Sequence, residues 1–217
     1  MNYILTADEI RTLAAMLGAK RLVGLARQSA SFSREAAVVS VLRLTQRGIL
    51  KSTEEGLTCQ KQVRSLMAVV AAPQQCVLVT DVTLAQSQLI CYCSGTSAVV
   101  AGEILERPGE YRLRLLPESA LLAYLREEGY LPRRDITSAE APSAPIEAGN
   151  KTVDLYSLAL TTTVLERLDP VTAQCLNRVA IVGHEGAETI RDRQGESVPY
   201  RMEELARRLF ARKEEQI

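Results

Sequence analysis

The sequence predicts an α+β fold in which helices flank a central antiparallel sheet. Apolar residues recur at helical spacing in three segments of residues 1–72. From Pro73 the period changes to alternation, in four short segments joined by turns of hairpin length. Residues 153–217 then repeat strand-like segments followed by a helix-like segment. This order predicts a pseudo-two-fold repeat of strand-strand-helix halves within one integrated domain.

The first helix is predicted to begin at a capping box in LTADEIRTLAAMLG. The Thr6 hydroxyl is placed to accept from the Glu9 N–H while the Glu9 carboxylate reaches back to the Thr6 N–H. Gly18 is expected to end the helix. The apolar positions that recur at helical spacing are Ile10, Leu13, Ala14 and Leu17.

Residues 1–72 as a whole predict a helical part with a winged-helix-like hairpin. A second helix runs from about Ser33 to Arg47 and is apolar nearly all round in AAVVSVLRL, so most of its circumference is expected to be buried. ILKSTEEGLTC, residues 49–59, then predicts a hairpin around a polar turn. QKQVRSLMAVVAAP predicts a third helix that Pro73 ends.

Residues 73–132 predict antiparallel strands plus a helix. The alternating segments are QCVLVTD (75–81), SQLICYCSG (87–95), SAVVAGEIL (97–105) and EYRLRLL (110–116). Pro117 is then expected to open a helix in PESALLAYLREEG, with Gly129 after its last turn.

Residues 133–152 contain no aromatic residue and are rich in Ala, Ser and Pro, which predicts a flexible linker or exposed loop. Residues 153–217 predict the second strand-and-helix half, with strands QCLNRVAIVG and AETIRDR. The last helix carries one apolar stripe, formed by Met202, Leu205, Ala206, Leu209 and Phe210.

Composition is that of a soluble globular protein. The 217 residues are 47% hydrophobic and 24% charged, with a net charge of zero. No window approaches the roughly 18 apolar residues of a membrane helix, and the N-terminus lacks the basic flank and apolar run of a signal peptide. The protein is therefore expected to be cytoplasmic, with no membrane partner.

The chemistry-bearing residues predict no catalytic, cofactor or metal site. The odd number of cysteines, five without a CxxC pair, predicts reduced thiols packed in the core. The alternative is a metal site formed by Cys91, Cys93 and His184. His184 is the one histidine, and neither a nucleophile elbow nor a phosphate-binding loop is present. The protein is therefore predicted not to be an enzyme, with an enzyme of unrecognised site left as an alternative.

The strand LICYCSG is apolar on both faces, and this leaves two interpretations open. The protein's own helices bury both faces, or one face stays apolar for a helical partner protein. Under the second interpretation, Ile90 and Tyr92 are the candidate partner-binding residues.

The layout resembles the EspG-like group of type VII (ESX) secretion-associated chaperones. The resemblance rests on the LTADEIRTLAAMLG helix, the GIL…GLT corner, the helix ending in AVVAAP, the strands CVLVTD, QLICYC, AVVAGEI and YRLRLLP, and the repeated half. It implies a pseudo-two-fold α+β fold and a cytosolic, non-enzymatic chaperone that binds a helical secreted or effector protein.

The rival function is a winged-helix transcription regulator with a C-terminal sensing or dimerisation domain. Residues 1–72 hold ten Lys and Arg against five Asp and Glu, which is compatible with nucleic acid. Its candidate DNA-binding residues are Arg43, Arg47 and Lys51. The hairpin tip STEEG is acidic, however, which disfavours phosphate contact. A further alternative is that the partner is a second copy of the chain, which would make the protein a homodimer.

Overall fold

The computed structural model describes residues 2–19, 21–25, 33–54, 56–83, 86–136, 161–184 and 187–210. Within these ranges the fold is α+β, with five helices, a nine-stranded antiparallel sheet and a small separate hairpin. The helices are α1 (Ala7–Met16), α2 (Arg34–Gln46), α3 (Lys61–Ala71), α4 (Leu121–Glu127) and α5 (Met202–Phe210). A 3₁₀ turn, Glu118–Ala120, precedes α4.

The strands of the sheet follow the chain order only in part. They are β1 (Asn2–Thr6), β4 (Gln75–Asp81), β5 (Leu89–Cys93), β6 (Ser97–Glu103), β7 (Glu110–Pro117), β8 (Thr161–Leu168), β9 (Cys175–His184), β10 (Ala187–Asp192) and β11 (Ser197–Pro199), and the hairpin consists of β2 (Leu50–Thr53) and β3 (Gly56–Cys59). The sheet order is β1-β7-β6-β5-β4-β8-β9-β10-β11. The predicted α+β class with an antiparallel sheet is confirmed.

The chain divides into two compact units. Unit 1 comprises residues 1–76, 89–119 and 170–173. Unit 2 comprises residues 77–88, 120–169 and 174–217. The chain passes between them several times, so neither unit is one continuous stretch of sequence.

Unit 1 opens with a strand that the sequence did not predict. β1 runs directly into α1, because Thr6 is both its last residue and the N-cap of the helix. The predicted capping box is confirmed: Thr6 Oγ1 accepts from the Glu9 N–H at 3.2 Å, and the Thr6 N–H donates to Glu9 Oε2 at 2.8 Å. β1 pairs antiparallel with β7, far along the chain. Because the strand that pairs with β1 is distant in sequence, the five residues of β1 show no local pattern that predicts a strand.

The core of unit 1 surrounds its central strands. All five residues of β5 are buried, and five of the seven in β6 are buried as well, so both strands are covered on both faces. α3 contacts both strands. Its buried face consists of Val63, Leu66, Met67 and Val70, which recur at the helical spacing predicted for it.

Two expectations for unit 1 are wrong. Most of α2 was expected to be buried, yet only Ser40 and Leu44 of its residues are buried. Pro117 was expected to open a helix, yet it ends β7 opposite Ser97. Proline is tolerated at a strand end because a missing N–H there removes little of the ladder.

Unit 2 contains the meander β8 to β11, in which each strand pairs antiparallel with the next. α5 contacts β8 and β9, and Leu205 and Leu209 of its predicted apolar stripe are fully buried. β11 was not predicted, since three residues are too short for a period of two to show. Gly195 lies in the turn before β11, at φ +85°.

Most of the predicted linker lies outside the described residues, which resume at 161. Its first four residues, 133–136, are described, and Ile136 is buried in unit 2. The Ile136 N–H donates to the Tyr200 carbonyl at 2.7 Å. Arg126 forms an ion pair with Asp135 in the same stretch. The chain is therefore held to unit 2 at Ile136, whereas residues 133–135 are exposed.

Candidate functional site

The proposed partner surface at Ile90 and Tyr92 is corrected, because both side chains lie in the core of unit 1. Tyr92 is fully buried and Ile90 is 3% exposed. The Tyr92 hydroxyl donates to the Val23 carbonyl at 2.7 Å. A Cβ added at Gly24, whose φ is +83°, would lie 2.5 Å from Cδ1 of Ile90. The irregular segment 23–25 covers this sheet face, where the sequence suggested either the protein's own helices or a partner.

Arg47, one of the three candidate DNA-binding residues, is occupied by an internal ion pair. Its Nη1 donates to both carboxylate oxygens of Glu9, at 3.1 and 3.0 Å, and its Nη2 donates to the Ile4 carbonyl at 2.6 Å. Glu9 is 2% exposed, and the same carboxylate completes the capping box. Arg47 therefore joins the end of α2 to the start of α1, and releasing it to a phosphate would leave a buried carboxylate without a countercharge.

The other two candidates, Arg43 on α2 and Lys51 on β2, are exposed. Glu54 at the hairpin tip is exposed as well. Of the three candidate DNA-binding residues, Arg43 and Lys51 therefore remain exposed, and the hairpin that carries Lys51 also carries the exposed acid Glu54. An acidic side chain at the hairpin tip disfavours contact with phosphates.

The outward side of α2 carries an apolar strip, which we call the α2 face and define as Val38, Val39 and Leu42. Their exposed fractions are 53%, 45% and 58%. At 100° per residue the three side chains lie within one third of the helix circumference, opposite the buried Ser40 and Leu44. Three large apolar side chains clustered outward on one helix form a patch, whereas isolated exposed apolar residues are ordinary.

A groove on unit 1, which we call the hairpin groove, lies between α1, β3 and α3 and has a cavity volume of about 180 Å³. Its apolar lining consists of Leu13, Met16, Leu17, Leu57 and Met67. Leu13 and Met67 are buried and form the floor, whereas Met16 and Leu57 are 43% and 44% exposed and form the rim.

The polar lining of the hairpin groove is cationic. It consists of Thr58, Cys59 and Arg64. Partial burial raises the pKa of the Cys59 thiol, and the nearby charge of Arg64 opposes that rise. The guanidinium of Arg64 therefore supplies a positive charge to the lining of the groove.

The thiols of β4 and β5 lie in the core of unit 1. Cys76, Cys91 and Cys93 are fully buried in unit 1, and burial raises the pKa of Cys93 to about 12. Thiols with raised pKa values in an apolar core are poor nucleophiles and poor ligands. Across the described ranges, no cluster of three or more His, Cys, Asp or Glu residues is placed to hold a metal ion. The backbone of His184 belongs to β9 in unit 2.

No protein-family model matches this chain, and no curated protein matches it in sequence. None of the helices in the described part of the chain is long and apolar enough to cross a lipid bilayer. The resemblance to the EspG-like chaperones remains a prediction.

The α2 face was missed because the sequence predicts that most of the circumference of α2 is buried. One signal was present: the small residues Ala36, Ala37 and Ser40 gather on the side opposite Val38 and Leu42. Small side chains allow close approach of a packed helix, so they mark the inward side. The groove had no such signal, because its residues come from three separate elements.

Proposed function

We propose that this protein is a non-enzymatic adaptor or secretion chaperone that binds a helical partner protein through the α2 face. The observation that carries the proposal is the outward exposure of Val38, Val39 and Leu42 on one side of a regular helix. A helix that leaves three large apolar side chains in water, and turns Ser40 and Leu44 inward, is suited to receive a partner there.

A helical partner is favoured by the spacing of the strip. Val38 and Leu42 are one turn apart and form a ridge along the i, i+4 direction. A second helix packs on such a ridge with its own i, i+4 row, which is the helix-on-helix mode of recognition. The same strip offers no hydrogen-bonding edge to which an extended peptide would add as a strand.

The finer features of the resemblance belong to this proposal. Two antiparallel meanders along the chain are each followed by a helix: β5, β6 and β7 of unit 1 precede α4, which belongs to unit 2, and β8 to β11 precede α5. This order supports a pseudo-two-fold relation between strand-and-helix halves and a winged-helix-like arrangement of α2, β2, β3 and α3. A cytoplasmic secretion chaperone of the EspG-like kind, with a secreted or effector protein as its partner, is consistent with that layout.

The proposal is tested by affinity purification of the full chain from its native host. The test variant is Val38→Ser with Leu42→Ser, and the matched control is Leu105→Ser, since Leu105 is also exposed on unit 1 but lies far from α2 in sequence. We expect one protein to co-purify with the wild type and the control and to be lost from the double variant. Equal retention by all three chains contradicts the proposal.

The rival DNA-binding function retains one supporting observation, the exposure of Arg43 and Lys51 on the helix and hairpin of the winged-helix outline. Binding of duplex DNA at about 50 mM salt, lost on Arg43→Glu and on Lys51→Glu, would favour it. A flat titration at that salt concentration would remove it, because phosphate contacts dominate affinity under those conditions.

A further inference from the structure

We propose that the hairpin groove is a binding pocket for an acidic amphipathic helix. One bulky apolar side chain of that helix fills the groove, and a carboxylate about one turn away pairs with Arg64. The inference rests on the proposed function in one respect, namely that the ligand is a segment of protein. It adds the chemistry of the partner and a second contact region on unit 1.

The size of the groove favours a side chain over a separate small molecule. Pockets for drug-sized ligands have volumes of about 300 to 1,000 Å³, whereas an apolar cavity of about 150 Å³ accommodates a single benzene ring. The groove volume of about 180 Å³ therefore suits one aromatic or branched aliphatic side chain. A pocket that holds one anchor residue is the usual centre of a helix-binding surface.

The walls of the groove are suited to an apolar anchor. Leu13 and Met67 supply a buried apolar floor, and the exposed rim residues Met16 and Leu57 lose contact with water when an anchor enters. Met16 and Met67 are unbranched and polarisable, so they adapt to anchors of different shape. The groove is open on the rim side, so the anchor enters from solvent.

The charge of the groove selects an acidic partner. Arg64 is exposed at its wall, and Lys61 is exposed one turn earlier on α3. The first turn of α3 contains no acidic residue, and Gln60 makes no side-chain cap, so the positive end of the helix dipole is not neutralised there. The lining residues include no Asp or Glu. A carboxylate of the partner is therefore attracted by three sources of positive potential.

The experiment is a selection of displayed helical peptides of about 16 to 20 residues on the full chain, because shorter helices are marginal in water. The library randomises an amphipathic helix without bias in its charged positions. We expect the selected peptides to carry Leu, Phe or Met as an anchor and Asp or Glu three or four residues from it. Selection of no peptide, or of basic peptides, overturns the proposal.

Variants of the chain then test whether the selected peptides bind in the hairpin groove. Leu57→Ser is expected to weaken binding about tenfold or more, as loss of an anchor contact does, whereas the matched Leu105→Ser leaves it unchanged. Arg64→Glu is expected to lower the affinity for acidic peptides at least two- to fivefold. A Glu→Lys change in the peptide is expected to restore the affinity for that variant. The control variant Lys51→Glu is expected to bind the acidic peptide as the wild type does and to gain nothing from the Glu→Lys change in the peptide. Binding that is indifferent to Leu57 and Arg64 overturns the proposal.

Cys59 provides a direct report of occupancy. In a Cys175→Ser chain, Cys59 is the remaining partly exposed thiol among those that the structure describes. Bound peptide is expected to slow alkylation of Cys59 by iodoacetamide at mildly alkaline pH. Protection by decanoate but by none of the peptides would assign the groove to a small carboxylate lipid and overturn the proposal.

The two proposals fail in different ways. If the co-purified protein depends on Val38 and Leu42 while selected peptides ignore Leu57 and Arg64, the proposed function stands and the groove inference is wrong. If the peptides depend on Leu57 and Arg64 while no co-purified protein depends on the α2 face, the groove inference stands and the proposed function is wrong.

Discussion

Glu9 is the acid on which the start of α1 and the end of α2 both depend. Its carboxylate accepts from the Thr6 N–H and from Nη1 of Arg47, and it is almost fully buried. Arg47→Ala removes the countercharge and the hydrogen bond to the Ile4 carbonyl. We expect it to lower the free energy of unfolding by about 2 to 3 kcal/mol, measured by urea titration.

Arg43→Ala is the matched control for that measurement, since Arg43 is an exposed arginine on the same helix. It is expected to change the free energy of unfolding little. Equal effects of the two substitutions would contradict a structural role for Arg47 and return it to the set of candidate DNA contacts.

Glu204 makes the acid stability of unit 2 depend on α5. Hydrogen bonds from Arg207 and Arg208, at 2.8 and 2.6 Å, and the charges of both residues lower the pKa of Glu204 from 4.5 to about 2. Because the pKa is lower in the folded chain than in the unfolded chain, the contribution of Glu204 is complete above pH 4.5. It is lost as the pH falls towards about 2.

The prediction is that Glu204→Gln lowers stability at neutral pH by about 1 kcal/mol, the range of partly exposed ion pairs, and flattens the acid limb of the stability profile. Urea titrations at a series of pH values measure both effects. Glu203→Gln, the exposed neighbour, is the control. An acid limb as steep in Glu204→Gln as in the wild type would contradict the prediction.

At the level of elements, α2 is a helix with one buried side and one side exposed to solvent. Leu44 is fully buried, whereas Leu42 is 58% exposed on the same helix. Leu44→Ala is expected to lower the free energy of unfolding by about 2 to 4 kcal/mol, because it leaves a cavity. Leu42→Ala is expected to lower it by less than about 0.5 kcal/mol, because it removes little buried area. Thermal or urea unfolding of the two variants makes the comparison. Similar losses would contradict the assigned orientation of α2.

The elements with strong local signals were predictable from the sequence. The capping box placed α1, the alternating segments placed β4 to β7, and the apolar stripe placed α5, because each signal depends on neighbours within a few residues. β1 and β11 were missed because short strands are defined by their partners, and those partners are set by tertiary structure. The orientation of α2 was missed because its large apolar residues occur nearly all round the helix, so hydrophobicity alone marks no single face.

The candidate site was less predictable than the fold. Ile90 and Tyr92 were rightly recognised as lying on an apolar sheet face, but no pattern indicated that residues 23–25 would cover it. Val38, Val39 and Leu42 lie on the helix that the sequence predicts to be mostly buried, since hydrophobicity alone does not distinguish a side chain packed inside from one held outward. Arg64 and Leu57 meet only in the folded chain.

At the level of the whole molecule, the winged-helix outline is not a separable module. The buried face of α3 packs on β5 and β6, which lie outside residues 1–72. A fragment of residues 1–72 would lose the two strands that contact α3 and would therefore expose part of the buried face of that helix to water. We expect it to show little helical circular dichroism and narrow amide dispersion in NMR, beside a folded full chain. Cooperative unfolding of the fragment would contradict this expectation.

The contact between Gly24 and Ile90 also bears on how relatives of this chain can be recognised. Gly24 has a φ of +83° and leaves no room for a Cβ beside Ile90. A chain with the same fold must keep glycine at this position, or shorten the side chain at the position of Ile90 and accept a strained backbone. We therefore expect the two positions, 66 residues apart, to vary together among chains of this fold. A hydroxyl-bearing aromatic at position 92 is expected to accompany them, because its hydroxyl bonds the backbone of the same segment.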